Sequence, residues 1–158
     1  PNINFIGCEP YINGVATLLS EIERHSINNI CIFNDDVRLL LKKLRRSSID
    51  KIFLLFNDPW PKKRHNSRRL ICSETLDELS KIMANGSQIF VASDDMNLIR
   101  STLNLFYCHH NFFWLANNPD DWKKRYSDSI ATRYENKAIS AGKDCIYLSF
   151  THKKKNYI

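Results

Sequence analysis

The densest chemistry in this sequence lies between Phe56 and Leu70, FNDPWPKKRHNSRRL. An apolar run, KIFLLF, delivers Asp58 into a Pro-Trp-Pro turn. Lys62, Lys63, Arg64, His65, Arg68 and Arg69 follow with no acid among them. Pro59 and Pro61 restrict the backbone on either side of Trp60, so the turn is stiff and the Asp58 carboxylate is held in one place. A carboxylate can bind the hydrogen-bonding edge of a base. Arginine grips phosphate with two parallel hydrogen bonds, and lysine acts as a point charge. Together these groups describe an enzyme that modifies a base in a nucleic acid. Two plainer readings stand beside this one: a solvated basic loop, and a Trp60 that anchors the loop to the core instead of stacking on a base.

Composition supports a polyanion partner. The 158 residues carry a formal net charge of +6 with 25% charged and 43% hydrophobic residues, as in an ordinary globular domain. Lys62, Lys63, Arg64, Arg68 and Arg69 contribute five positive charges, and only THKKK near the C-terminus is comparably basic. Localised excess of this kind points first to nucleic acid. The five cysteines are far apart and form no C-x-x-C, and the histidines show no ligand spacing. That argues against a metal site or disulfide framework and for the reducing cytoplasm. No apolar run is long enough for a membrane span, and no signal peptide is evident. The chain starts at Pro1, not Met, which suggests a domain cut from a longer parent.

These groups need a scaffold, and its periodicity is legible. INFIGCE (residues 3–9), NICIFND, DKIFLLFND, SQIFVASDD and DCIYLSFTH read as strands, the first of them short and buried, and NFFWLAN as a further one. Helices are expected at YINGVATLLSEIERHSI, DVRLLLKKLRRSS, SETLDELSKIMAN and MNLIRSTLNLFYCH. For the third, Ser73 is the expected N-cap and Gly86 lies just past the end. Residues 117–133 read as a polar loop with one helical turn. Alternation of this kind predicts a single α/β domain of the Rossmann-like class, with a mostly parallel sheet and an antiparallel edge formed by the last two strands.

In such folds ligands bind beyond the carboxyl ends of the strands. Acids stand at four of them: Glu9, Asp35-Asp36, Asp58 and Asp94-Asp95. Glu9 is placed to accept hydrogen bonds from a cofactor ribose or to serve as a helix-entry residue. Asp36 is placed beside an adenine or as the N-cap of the next helix, and both roles can hold together. A glycine-rich turn after the first strand is absent, since Gly7, Gly14, Gly86 and Gly142 are too far apart to make one.

FNDPWPKKRHNSRR resembles the F-P-D-P-W-x-K-x-R-H-x-x-R-R signature of the tRNA (guanine-N7)-methyltransferases of the TrmB type, departing at Asn57. ASDD (residues 92–95) is similar to that family's A-T-D-W, and TRYENKAISAGKDCIYLSF to its C-terminal motif, with Thr132, Tyr134 and Glu135 in place. The resemblance covers essentially the whole chain. It implies a class I fold, S-adenosylmethionine as cofactor, and methylation of N7 of guanine 46 in the tRNA variable loop. It further implies that Glu9, Asp36 and Asp58 bind cofactor, with Asp58 the catalytic carboxylate. Lys62, Asp94, Thr132, Arg133, Tyr134 and Glu135 would contact the target nucleotide, and Arg64, His65, Asn66, Ser67, Arg68 and Arg69 would grip tRNA. No metal, no membrane and either a monomer or a homodimer are expected.

The family opens with a strand and an E-x-G-x-G turn that are not found here. The first strand of this sequence therefore corresponds to the fold's second. The expectation is that two strands, residues 3–9 and 50–58, lack their shared central partner, and that this chain alone is poorly stable or inactive. Two rival readings are an exocyclic-amine methyltransferase, because NDPW is similar to the N/D-P-P-Y/F turn, and a non-catalytic RNA-binding relic. The Lys/Arg/His run speaks against the first and the four retained acids against the second.

Overall fold

The computed structural model describes residues 3–127 and 129–154, apart from the side chains of Lys63 and Asn66. The expected alternation is present. The order is β1 (Phe5–Cys8), α1 (Ile12–Arg24), β2 (Ile30–Phe33), α2 (Val37–Leu41), β3 (Ile49–Leu55), α3 (Ser73–Ile82), β4 (Met83–Ser93), α4 (Met96–Cys108), β5 (Phe112–Trp114), α5 (Arg133–Ser140) and β6 (Ile146–His152). Short 3-10 turns occupy Lys63–Arg68 and Pro119–Trp122. The chain divides after Leu44 into two compact units.

In the first unit β1 and β2 pair in parallel from Phe5↔Ile30 to Cys8↔Phe33, joined by α1 as the crossover. Among the described residues β2 is β1's only partner. This strand is not the buried one its sequence suggests: Phe5 is 52% and Ile6 46% exposed. A two-stranded sheet with one crossover helix leaves β1 an open edge and an open face. Val15 of α1 and Leu41 of α2 are the unit's buried apolar side chains.

The second unit is a four-stranded sheet in the order β3-β4-β6-β5. β3 and β4 are parallel, whereas β6 inserts antiparallel between β4 and β5. The antiparallel edge is thus as expected, and among the described residues β3, like β1, has a single partner. Period-2 alternation sends Ile89 and Val91 of β4 and Leu148 and Phe150 of β6 to one face. They are buried there, as are Leu76, Leu79 and Ile82 of α3 and Phe106 of α4. The Phe106 and Phe150 rings stack at 4.1 Å. On the other face Phe53 stacks on Phe90 at 5.0 Å, and Tyr126 packs on Phe90 at 4.4 Å.

Three boundaries differ from the sequence reading. α2 stops at Leu41, where the ladder tightens to three-residue turns: Lys43 N donates to Leu40 O (2.8 Å) and Leu44 N to Leu41 O (3.4 Å). The N-cap of α3 is Cys72, in extended conformation, and Ser73 is already helical. α3 ends at Ile82 and passes directly into β4, because Ile82 and Met83 are both buried. Gly86 then caps no helix. Its φ of +82° serves the irregular register between Ile49↔Met83 and Lys51↔Gln88.

A buried polar chain closes the amino-terminal end of β4. The fully buried His152 must donate from Nδ1 to the Ala84 carbonyl (3.0 Å), which leaves Nε2 to accept from Ser80 Oγ (3.0 Å). Ser80 Oγ in turn accepts from Asn111 Nδ2 (2.9 Å). Burial holds His152 below its ordinary pKa, and His109 is held down in the same way. A histidine neutral in the fold but titrating near 6.5 when unfolded costs stability as pH falls below about 6.5. The urea midpoint therefore drops between pH 7 and pH 5, and His152→Gln flattens that slope. Glu135, a carboxylate whose folded pKa is lowered, loses its contribution only at lower pH. An unchanged slope in the variant would sink this assignment.

Candidate active site

The β3 ladder continues one step past the strand, as Phe56 N donates to Ala92 O (2.7 Å). The backbone then turns sharply, with φ of 54° at Phe56 and 42° at Trp60. Left-handed conformations in bulky residues cost on the order of 1 kcal/mol each and persist only where surroundings impose them. At Trp60 the basic segment supplies those surroundings. Arg69 donates from Nε to Pro59 O (3.1 Å) and from Nη2 to Trp60 O (3.2 Å). The Arg68 guanidinium lies 4.9 Å from the centre of the Trp60 ring, and His65 meets that ring edge-on at 5.6 Å. Trp60 thus has its ring occupied by Arg68 and His65 of its own loop. Arg64 Nε contacts His65 Nε2 at 3.3 Å. Asp58 stands exposed on this turn with no hydrogen bond or ion pair among the described residues, and Lys62 and Arg64 are exposed beyond it. Ser67 and the backbone of Asn66 belong to the same 3-10 turn; the Asn66 side chain lies outside the described residues.

The same rim carries the end of β4. Asp95 caps α4, accepting from Leu98 N (2.8 Å), while Asp94 pairs with Lys143 Nζ at 2.6 Å. Lys143 is held by the end of α5, where Gly142 takes a φ of +71° and Lys143 N closes onto Ala138 O (3.1 Å). At the start of α5, Thr132 and Glu135 form a reciprocal capping box: Glu135 N donates to Thr132 Oγ1 (3.1 Å) and Thr132 N to Glu135 Oε2 (3.4 Å). Glu135 is only 2% exposed, whereas Tyr134 is 67% exposed. Glu135 Oε1 accepts from Arg125 Nε (2.8 Å) and Tyr147 Oη (2.6 Å). Burial pushes its carboxyl up, but the hydrogen bonds from Tyr147 and Arg125 prevail and hold it below the usual range. Tyr147 stands opposite Ala92 and Ile146 opposite Ser93. The structure therefore gathers Asp58, Asp94 and Thr132–Glu135 around the carboxyl ends of β3 and β4.

Sequence reasoning missed α5 and, with it, Arg125, Lys143 and Tyr147. The T-x-x-E spacing of Thr132 and Glu135 was the available signal for the helix start. A mid-sheet hollow of about 260 Å³, lined by Lys51, Phe53, Gln88, Phe90 and Tyr126, contains none of the site residues.

In the first unit Glu9 follows β1 and Asp36 follows β2. Glu9 Oε1 accepts from Tyr11 N (2.9 Å), the helix-entry arrangement, while Oε2 has no hydrogen bond among the described residues. Gly14 makes room for it: a Cβ there would come 3.2 Å from Glu9 Cγ. A half-buried carboxylate with one oxygen open suits the two hydroxyls of a ribose. Asp36 caps α2, accepting from Arg38 N (2.9 Å), and Arg38 Nε reaches both of its oxygens at 3.0 and 2.9 Å. The Arg38 guanidinium holds the Asp36 carboxyl below the usual range. Both Asp36 oxygens are thus engaged. Among the described residues no group of His, Cys, Asp and Glu is arranged to hold a metal ion. No described helix is long and apolar enough to cross a membrane.

This chain has the Rossmann-like class I methyltransferase fold, with acids at its strand ends. The solved structure of an rRNA methylase from Streptococcus thermophilus superposes with a TM-score of 0.62 at 10% identity, over 96% of this chain and 74% of that one. The family model described as "Putative methyltransferase" matches residues 1–148, and the chain belongs to this methyltransferase family. Curated relatives include the tRNA (guanine-N(7)-)-methyltransferase of Roseobacter denitrificans, 46% identical over 95% of this chain. The enzyme of the same name from Rhodospirillum rubrum is 40% identical over 98%. This chain spans 64% of the length of the first relative and 61% of the second.

Proposed function

We propose that the protein transfers a methyl group from S-adenosylmethionine to N7 of guanine 46 in the variable loop of tRNA. The observation that carries this reading is the strained turn that presents Asp58, exposed and without a partner among the described residues, beside exposed Lys62 and Arg64. The names of the curated relatives support the substrate. The cofactor supplies an electrophilic methyl group on a sulfonium. Glu9 would hold its ribose through the open Oε2. Asp36, already engaged by Arg38, would bound the adenine region as a fixed wall.

Guanine N7 presents a free lone pair, so no base is needed to deprotonate it. What the protein must do is position the ring and stabilise the positive charge it gains. Asp58 suits that electrostatic role. Lys62, Asp94 and the Thr132–Tyr134 segment would meet the target nucleotide, with Glu135 supporting them from beneath. Lys62 and Arg64 would meet phosphates first, while His65, Arg68 and Arg69 also hold the turn. We take the two units to act as one methyltransferase domain, working in the cytoplasm.

The test is methyl transfer from labelled S-adenosylmethionine to unmodified tRNA by the chain extended upstream of Pro1, with the product base identified. Label on guanine N7, lost when guanine 46 is replaced by adenine, is expected. Label on an exocyclic amine, or tRNA binding without transfer, overturns the reading.

A further inference from the structure

We propose that Arg125 and Tyr147 are positioning residues for the Thr132–Tyr134 segment, acting through the buried carboxylate of Glu135. The inference rests on the function proposed above and concerns how that site is held. The Glu135 side chain is almost wholly enclosed, and its two oxygens accept from Arg125, Tyr147 and the Thr132 backbone. A carboxylate so occupied is not free to touch a nucleotide. What it does is fix three separate pieces of chain at one point: the loop at Arg125, the first turn of α5, and the start of β6 at Tyr147.

The loop is pegged independently. Tyr126 Oη lies within hydrogen-bond distance of Val91 O (2.8 Å) and Leu148 O (2.9 Å), carbonyls of two neighbouring strands that share its one proton. Arg125 Nη1 reaches Ser129 O at 3.4 Å, and Ser129 N closes onto Tyr126 O at 3.1 Å. Arg125, Tyr126 and Ser129 are therefore tied to one another and to the sheet, as a bracket based on β4 and β6. Through Glu135 the bracket sets where Thr132 lies and where the exposed Tyr134 begins. A buried carboxylate tolerates removal of its cation poorly, because it is left charged and unpaired. Without Arg125, Glu135 must protonate or move toward water, and either response displaces the cap at Thr132. Cys145 is the other titratable group close to Glu135, and burial raises its thiol, so it supplies no countercharge.

The experiment compares the unaltered protein with Arg125→Met, Arg125→Lys, Tyr147→Phe and the double variant Arg125→Met/Glu135→Gln. Steady-state kinetics on tRNA are read alongside the dissociation constant for S-adenosylmethionine. Arg125→Met is expected to raise KM for tRNA roughly tenfold or more, while cofactor affinity stays within about twofold. Arg125→Lys and the double variant recover part of the loss, because one restores a cation and the other removes the buried charge. Tyr147→Phe, which folds with one donor fewer, shows the same split at smaller size. An unchanged KM for tRNA in Tyr147→Phe and Arg125→Met overturns the proposal. So does equal damage to cofactor and tRNA binding, which marks general loss of structure. If no methyl reaches tRNA even with the chain extended upstream of Pro1, the function itself is wrong; activity in that parent with unmoved variants defeats this inference alone.

Discussion

Asp58→Asn is expected to slow methyl transfer by about 10²- to 10³-fold, the usual effect of removing one preorganised electrostatic contact from a transition state. Dissociation constants for tRNA and cofactor should move little. The substitution is isosteric and removes only charge. Asp58 is exposed and makes no hydrogen bond among the described residues, so the fold does not depend on it. The strained φ values at Phe56 and Trp60, and the Arg69 contacts to the Pro59 and Trp60 carbonyls, remain as they are. Because guanine N7 carries no proton to abstract, the loss should be nearly the same at pH 6 and pH 8. Single-turnover rates across that range provide the check. A variant at close to the parent rate would remove Asp58 from catalysis, and a loss confined to one side of a titration would make it an acid or base instead.

The second large effect is on binding. Lys62→Glu combined with Arg64→Glu should weaken tRNA affinity by on the order of 10²-fold at moderate salt. It should also make the slope of log affinity against log salt shallower by about 2, since each lost phosphate contact removes one released counterion. These two cations are chosen because they are exposed and make no contact to Trp60 or the turn carbonyls, whereas Arg68 lies over the Trp60 ring and Arg69 bonds the turn carbonyls. Filter binding across a salt series measures both quantities. If affinity and slope are both unchanged, tRNA does not pass over this part of the loop.

The division between what was legible and what was not follows the range of the forces involved. Strand and helix periodicity are local, so the alternation through α4 and the antiparallel edge were readable from spacing alone. Helix ends were less so. α3 was expected to run on toward Gly86, but burial of Ile82 and Met83 starts β4 at once, and that burial is a tertiary fact. β1 has an apolar sequence, yet Phe5 and Ile6 stand exposed because burial needs neighbours on both sides, which a pair of strands does not provide.

The basic signature behaved in the same way. Its composition announced a carboxylate beside a cluster of cations, and the prolines announced a stiff turn. That Arg69 bonds the Pro59 and Trp60 carbonyls while Arg68 lies over the Trp60 ring depends on which carbonyls and which ring the folded loop brings within reach.

By itself, the sequence determined the class of fold, the strand ends at which the acids stand, and the stretch that carries the chemistry. Residue type, period and turn chemistry act over a few neighbours and are written in order along the chain. Only the tertiary structure decided which charges are spent internally. Arg125 and Tyr147 meet Glu135 across 10 and 12 residues, and Lys143 meets Asp94 across 49. Pairing over such separations is set by sheet order and helix packing, and no local pattern in the chain encodes it.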